Sequence, residues 1–422
     1  MENSVRIENR SQLIYLLTEA AELEHGIMCC YLYATFTLKT STAEGVTAEQ
    51  LSAIRRWRRL IRGISVEEML HLGLACNLLT AVGGSPQVRR PNLPYHPRAY
   101  PVAFQLKLAP LSIETLESFV AIEKPVNDYT EIEVADTLSL PATEHPALSD
   151  IFSSERDYDT QGKLYRGIED GLIYLAQKYG EEALFLGRSQ VQPSAPFFGG
   201  LEGLAPVTDL QSALAAVDLI VRQGEGAKQE TVDSHYSKFM SILEEYRTLL
   251  AADPAFEPAR PALTNPYSIP PIDHQLTELY ATIDDPATAD ISNLFDGCYE
   301  LMIQMLGFVF VHAGDSEAAT MQLADTTVGI MAEVLLPLGN ALTQLPAGPS
   351  YPDRVAGPSF RLSRSMSIPT GQPAAWSLFQ ERLHELASYC SHLEDEPSVA
   401  PLSDIREALV KYAGVLASTP SS

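Results

Sequence analysis

Positive charge is scarce in this chain. Across 422 residues, 29 Lys and Arg stand against 54 Asp and Glu, a formal net charge of -25. So acidic a surface repels phosphate backbones and anionic bilayers, and neither nucleic acid nor membrane is expected as a partner. The one basic run, RRWRRLIRG from Arg55, has no basic companion elsewhere and reads as a solvated helix edge. Cysteine is sparse too: Cys29, Cys30, Cys76, Cys298 and Cys390 are odd in number and form no CxxC. That excludes a disulfide framework and fits small buried residues in a reducing compartment. The longest apolar run, LMIQMLGFVFV from Leu301, contains a Gln and falls short of the ~20 residues that span a bilayer. The opening MENSVRIENRSQ shows no h-region and no Arg-rich amphipathic pattern, so a cytoplasmic location is expected. Fixed-period repeats, low-complexity tracts and sustained strand alternation are also missing.

What is present is helical periodicity, in a chain that is 45% hydrophobic and long enough for a large core. From Ser11 to about Lys39, the residues Leu13, Leu17, Ala20, Glu24, Ile27, Tyr31, Ala34 and Leu38 recur at three or four, with Glu24 the only charge among them. A second stripe runs from about Thr47 to Val82 through Trp57, Leu60, Ile64, Glu68, His71, Ala75, Leu78 and Val82, and Gly83 with Gly84 ends it. Further helices are predicted at about Ser112–Ile122, Asp159–Tyr179, Asp209–Gly224 and Thr231–Ala251. Six prolines between Pro254 and Pro271 read as a linker, and helices follow at about Asp290–Val311, Ser316–Leu345 and Gln372–Leu393. The expectation is an all-α protein: a four-helix bundle with long loop excursions over residues 1–260, and a second helical domain over 261–422.

Glutamate and histidine on apolar stripes are the candidate chemistry. Carboxylate-bridged dimetal bundles take a lone Glu from each of two helices and Glu-x-x-His from each of two others. Two divalent cations neutralise a set of buried carboxylates that would otherwise be prohibitive. Glu24 is a candidate lone Glu, Glu68 with His71 a candidate pair, and Glu169, on a stripe with Tyr165, Leu172 and Ala176, a second lone Glu. On the fourth helix the strict spacing fails. Glu225 follows the apolar run, and His235 comes ten positions later, beyond a Gly224–Gly226 break after which a new helix would begin near Thr231.

Spacing alone proves little, because 34 Glu and nine His generate about 0.7 such pairs by chance in a chain this long. Three occur. Glu22 with His25 lies off the apolar stripe, and Glu381 with His384 sits in the charged helix ERLHELASYCSHLEDE, where a solvated edge is the expected reading. Glu67 is expected on the solvent side. Cys29, Cys30, Cys76, Tyr31, Tyr33 and Trp57 surround the candidate site and read first as core packing.

The stretches LEHGIMCCYLYATFTLK, EEMLHLGLACNLLTAVGGSP followed by RPNLPYHP, LYRGIEDGLIYLAQKYGEEALFLG, and VRQGEG with DSHYSKF together resemble the ferritin-like domain of iminophenyl-pyruvate dimer synthases. LPLGNALTQLPAG, AGPSF and AW with RLHELA are similar to the C-terminal part of the same family. Those synthases are longer chains, and the expectation here is the module standing alone. The resemblance implies a ferritin-like dimetal site holding two iron ions, with manganese compatible, at Glu24, Glu68, His71, Glu169, Glu225 and His235. It further implies a dimetal oxidase or oxygenase of specialised metabolism. The expected substrates are dioxygen and a small molecule, an aryl-pyruvate imine or another amino-acid-derived compound, with another pathway enzyme as a possible partner. A non-catalytic metal-binding or scaffold protein supporting a partner oxidase stays open as the alternative.

Overall fold

The computed structural model describes residues 7–95, 106–125, 158, 160–224, 233–269, 279–363, 369, 371–394 and 401–418. Two long helices form its centre, α1 (Arg10–Thr37) and α2 (Ala48–Ala81). Asn9 caps α1 by accepting from the Gln12 N–H, and Thr47 and Gln50 close a reciprocal capping box on α2. α1 is buried nearly all round, since other helices cover it on every side.

Against this pair lie α3 (Ile113–Ile122), α4 (Gln161–Tyr179), α5 (Leu210–Gly224) and α6 (His235–Ala252). α3 packs on α6 and α4 on α5, so two short antiparallel pairs follow one another along the α1–α2 hairpin. The third and fourth members of the bundle are thus each split in two, and the polar cluster sits where they divide.

The second half is α7 (Pro286–His312), α8 (Glu317–Ile330), a π turn (Met331–Leu335), α9 (Leu336–Leu342), α10 (Gln372–Leu393) and α11 (Leu402–Ala417). α11 was not anticipated, although Leu402, Ile405, Leu409, Tyr412 and Leu416 form a clean stripe that packs on α10. One hydrophobic core runs from the first helix to the last. Close approach matters at Gly339, where a Cβ would come within 2.6 Å of the Phe36 ring and push α9 off the end of α1.

The proline-rich stretch is not a free linker. Within it, Pro266–Tyr267 (β1) pairs in parallel with Ala281–Thr282 (β2), and Arg260, buried, bonds Glu44 and the Phe36 carbonyl. Among the described residues, two helical stretches, Pro286–His312 and Glu317–Leu342, are long and apolar enough to cross a bilayer, more than the short run at Leu301 suggests. In the first, 78% of the apolar window is buried inside the fold. Its apolar character therefore belongs to a central core helix.

Candidate metal centre

Four helices converge on one buried polar cluster. α1 contributes Glu24, and α2 contributes Glu68 and His71, one turn apart and pointing the same way. α3 ends at Glu123, its C-terminal capping position. α6 begins at His235, fixed there by Ser234, whose side chain accepts from the Ser237 N–H. All five side chains are buried.

The arrangement has two arms that meet at Glu68. Its Oε2 lies 2.9 Å from His71 Nδ1, which is also 3.7 Å from Glu24 Oε2. Its Oε1 lies 3.1 Å from His235 Nδ1, which is 3.6 Å from Glu123 Oε1. Ligand atoms of Glu68, His71 and His235 all fall within 4.8 Å of one another. The two imidazoles stack with centroids 5.4 Å apart.

A surrounding layer of hydrogen bonds orients these groups. His71 Nε2 is 2.9 Å from Gln223 Oε1, and His235 Nε2 is 2.8 Å from Glu67 Oε2. Both acceptors hold a proton on Nε2, so that when Nδ1 gives up its own proton its lone pair points into the cluster, the tautomer a metal-binding histidine needs. Glu24 Oε1 accepts from Tyr165 Oη at 2.6 Å and from Gln161 Nε2 at 2.7 Å, so its Oε2 remains the inward atom. Glu123 Oε1 accepts from Tyr31 Oη at 2.5 Å. Lys238, 3.1 Å from Glu67 Oε2, steadies the outer carboxylate.

The electrostatics are those of a site with charge to share. Burial, then the Glu68 charge, pushes the Glu24 carboxyl up to about 7. For His71, burial opposes the charged ring, but the Glu68 charge and the close carboxylates of Glu24 and Glu68 prevail, raising it to about 10. His235 is raised well above the imidazole range: burial again opposes, and the charges of Glu68 and Glu123 outweigh it. Without a metal, protons therefore take the place of positive charge between the carboxylates. Among the described residues, Glu24 Oε2, Glu68 Oε1 and His235 Nδ1 are buried without a well-aligned hydrogen bond, although the last two lie 3.1 Å apart. Three such donor atoms of the hard-oxygen and imidazole type, aimed at one space, fit a pair of divalent transition ions.

Of the six residues singled out from the sequence, Glu24, Glu68, His71 and His235 thus lie together. Glu169 does not. It pairs with Arg166 at 3.0 Å, with 30% of its side chain exposed. Tyr165 and Gln161 already reach Glu24 from the same helix, and Glu169 lies roughly 6 Å further along the axis at ~1.5 Å per residue. Periodicity identified the face of α4 but not its axial register. Glu225 lies outside the described residues. Glu123 was missed, although Leu116, Phe119 and Glu123 recur at three and four along IETLESFVAIE, the same signal that marked Glu24. Glu67, expected in solvent, is half-buried against His235. Of the other two Glu-x-x-His pairs, Glu381 and His384 are exposed, while Glu22 accepts from Gln87 and His25 turns away toward the second half of the chain.

The chain belongs to the Ferritin-like family, which matches residues 17–244, more than half of its length. Two curated relatives agree with the resemblance carried by the motifs. Dichlorochromopyrrolate synthase of Lentzea aerocolonigenes is 28% identical over 428 residues, covering 92% of this chain and 40% of that one. The 2-imino-3-(indol-3-yl)propanoate dimerase of Chromobacterium violaceum is 30% identical over 373 residues, covering 84% and 34%. This chain therefore spans less than half the length of the curated relatives it matches. A solved ferritin-like protein from Caulobacter vibrioides superposes with a TM-score of 0.49 at 18% identity, covering 84% of this chain and 100% of that one.

Proposed function

We propose that this chain is a dimetal oxidase or oxygenase of specialised metabolism that acts on a small organic substrate, an aryl-pyruvate imine or another amino-acid-derived compound. The observation that carries the metal reading is the double-armed geometry of Glu68, each oxygen facing one imidazole Nδ1 with a further carboxylate beyond. The substrate class rests on the two relatives, one named for an imino-indolyl-propanoate and the other for a chromopyrrolate. Two iron ions held at Glu24, Glu68, His71, Glu123 and His235 would supply the activation of dioxygen, and manganese takes the same donors.

The chain's own residues do the rest. Glu68 would serve both arms, with Glu24 completing one and Glu123 the other; Tyr165 and Gln161 hold Glu24 through its outer oxygen, and Tyr31 holds Glu123 through Oε1, the oxygen that faces His235. Gln223 and Glu67 keep the imidazoles in the lone-pair-inward tautomer. Burial of all five donors excludes water, and His71 must release its proton before its Nδ1 can bind a cation.

Metal analysis of protein loaded with ferrous iron under anaerobic conditions tests the reading. Two ions per chain are expected, with an absorption change on exposure to oxygen. Absence of any bound transition ion would overturn it.

A further inference from the structure

A cavity of about 200 Å³ opens beside the cluster on the flank of α1 and α2 that meets the second half of the chain. Four thioethers, Met28, Met69, Met302 and Met331, dominate its wall together with Phe198 and Phe310. The two phenylalanine rings lie nearly parallel, 25° apart at 5.9 Å. At Gly73 the wall packs closely, a Cβ there standing 2.9 Å from Leu204 Cδ1 and 3.7 Å from the Phe310 ring. Met331 opens the π turn that follows α8. Such turns interrupt a helix at some cost and concentrate at functional positions.

Among the described residues, the one titratable group in the wall is His25, and both its ring nitrogens are already hydrogen-bonded. Its Nδ1 is 2.8 Å from the Val88 carbonyl and carries the proton, while its Nε2 accepts from Tyr299 Oη at 2.5 Å. A water molecule needs two to four polar partners, and this wall supplies none free. A dry apolar cavity of ~150 Å³ takes up benzene, so this slightly larger one has room for a bicyclic ring. Thioethers contact aromatic rings favourably and adapt their shape to them. Val66 and Val328, 48% and 38% exposed, stand at the mouth.

We propose that this cavity is a binding site for an uncharged aromatic ring system of up to two fused rings, buried without hydrogen bonds. Met28 and Leu72, each one turn beyond Glu24 and Glu68, form the partition between it and the polar cluster. Any part the bound ring plays in catalysis rests on the dimetal reading, but binding does not, because no cluster residue lines the cavity.

Titration of the metal-free protein with naphthalene, followed by calorimetry and thermal melting, keeps the two readings separate. Saturable binding at one site and a raised melting temperature are expected. 2-Naphthoate should bind at least tenfold more weakly, because its carboxylate finds no partner, and saturated decalin at least threefold more weakly. Val328→Trp and Val66→Trp, both at exposed positions, should each weaken naphthalene at least tenfold while leaving the circular dichroism spectrum and iron content unchanged. No saturable naphthalene binding to the unaltered protein would overturn the proposal, as would two folded tryptophan variants that bind like the parent. Naphthoate binding as tightly as naphthalene would overturn the uncharged class, and decalin binding as tightly would overturn the aromatic one.

Discussion

His71 and His25 stand on neighbouring helices, both fully buried and both three residues after a glutamate, yet their surroundings drive them in opposite directions. His71 faces Glu68 and Glu24, which hold its ring charged up to about pH 10. His25 faces Tyr299 and the Val88 carbonyl, with buried Arg90 close by. Burial first, then the Arg90 charge, drives it well below the usual imidazole range. One flank of the α1–α2 hairpin therefore gathers carboxylates and protonated imidazoles that a cation could replace. The other holds a neutral histidine at the edge of an apolar cavity. An identical sequence spacing becomes a metal-ligand candidate or a structural hydrogen-bond hub according to the charges that tertiary packing brings beside it.

The sharpest way to break the contrast is Glu68→Ala. It removes the oxygens shared by both arms, so iron content should fall from two per chain to none, and metal analysis reads this directly. The same change leaves His71 and His235 buried without their central counter-charge, a loss of about 3 kcal/mol in the metal-free protein, measurable by urea unfolding. Retention of two ions by a folded Glu68→Ala protein would remove the basis for the dimetal assignment.

Glu67→Ala should act through His235 alone, freeing the ring to rotate and weakening metal binding by about 10- to 100-fold. Competition with a coloured chelator measures it. An unchanged affinity would return Glu67 to the solvent side.

Acidity offers a third test. In the folded metal-free protein Glu24 holds its proton to about pH 7 against an ordinary 4.5, and His71 to about pH 10 against 6.5. At these two groups the folded state thus binds more protons than the unfolded chain, at Glu24 between about pH 4.5 and 7 and at His71 between about pH 6.5 and 10. The stability contributed by Glu24 is lost as pH rises toward 7, and that contributed by His71 as pH rises from 6.5 toward 10. Above the range in which the unfolded His25 ring titrates, urea midpoints of metal-free protein should fall from pH 7 to pH 9, and iron loading should flatten the trend and release protons. A midpoint that climbs between pH 7 and pH 9 contradicts this.

On the other flank, His25→Gln should leave iron content unchanged while costing roughly 1–3 kcal/mol from two disturbed buried hydrogen bonds. Loss of iron in that variant would mean the two flanks are coupled. The smallest effect belongs to Glu169→Ala, which removes an exposed ion pair with Arg166. It should shift stability by less than about 0.5 kcal/mol and leave metal binding untouched.

Much of this was already present in the order of residues. Apolar residues at three and four, interrupted by a lone Glu or a Glu-x-x-His, placed α1, α2, Glu24, Glu68 and His71, because helical geometry converts spacing into a shared face without help from the rest of the chain. His235 rested on a helix break and restart after Gly224–Gly226 and not on Glu-x-x-His spacing, since its helix starts at that residue and offers no preceding turn to read. Tertiary structure decided the rest. It set the axial register that carries Glu169 past the cluster and brings Tyr165 and Gln161 to Glu24 instead. It also delivered Glu123 from the end of a short helix, and it separated His25 from His71 by the company each keeps. Periodicity specifies an angle around one helix, whereas a site requires the height of each residue along its neighbours, and only the packing of the whole core supplies that.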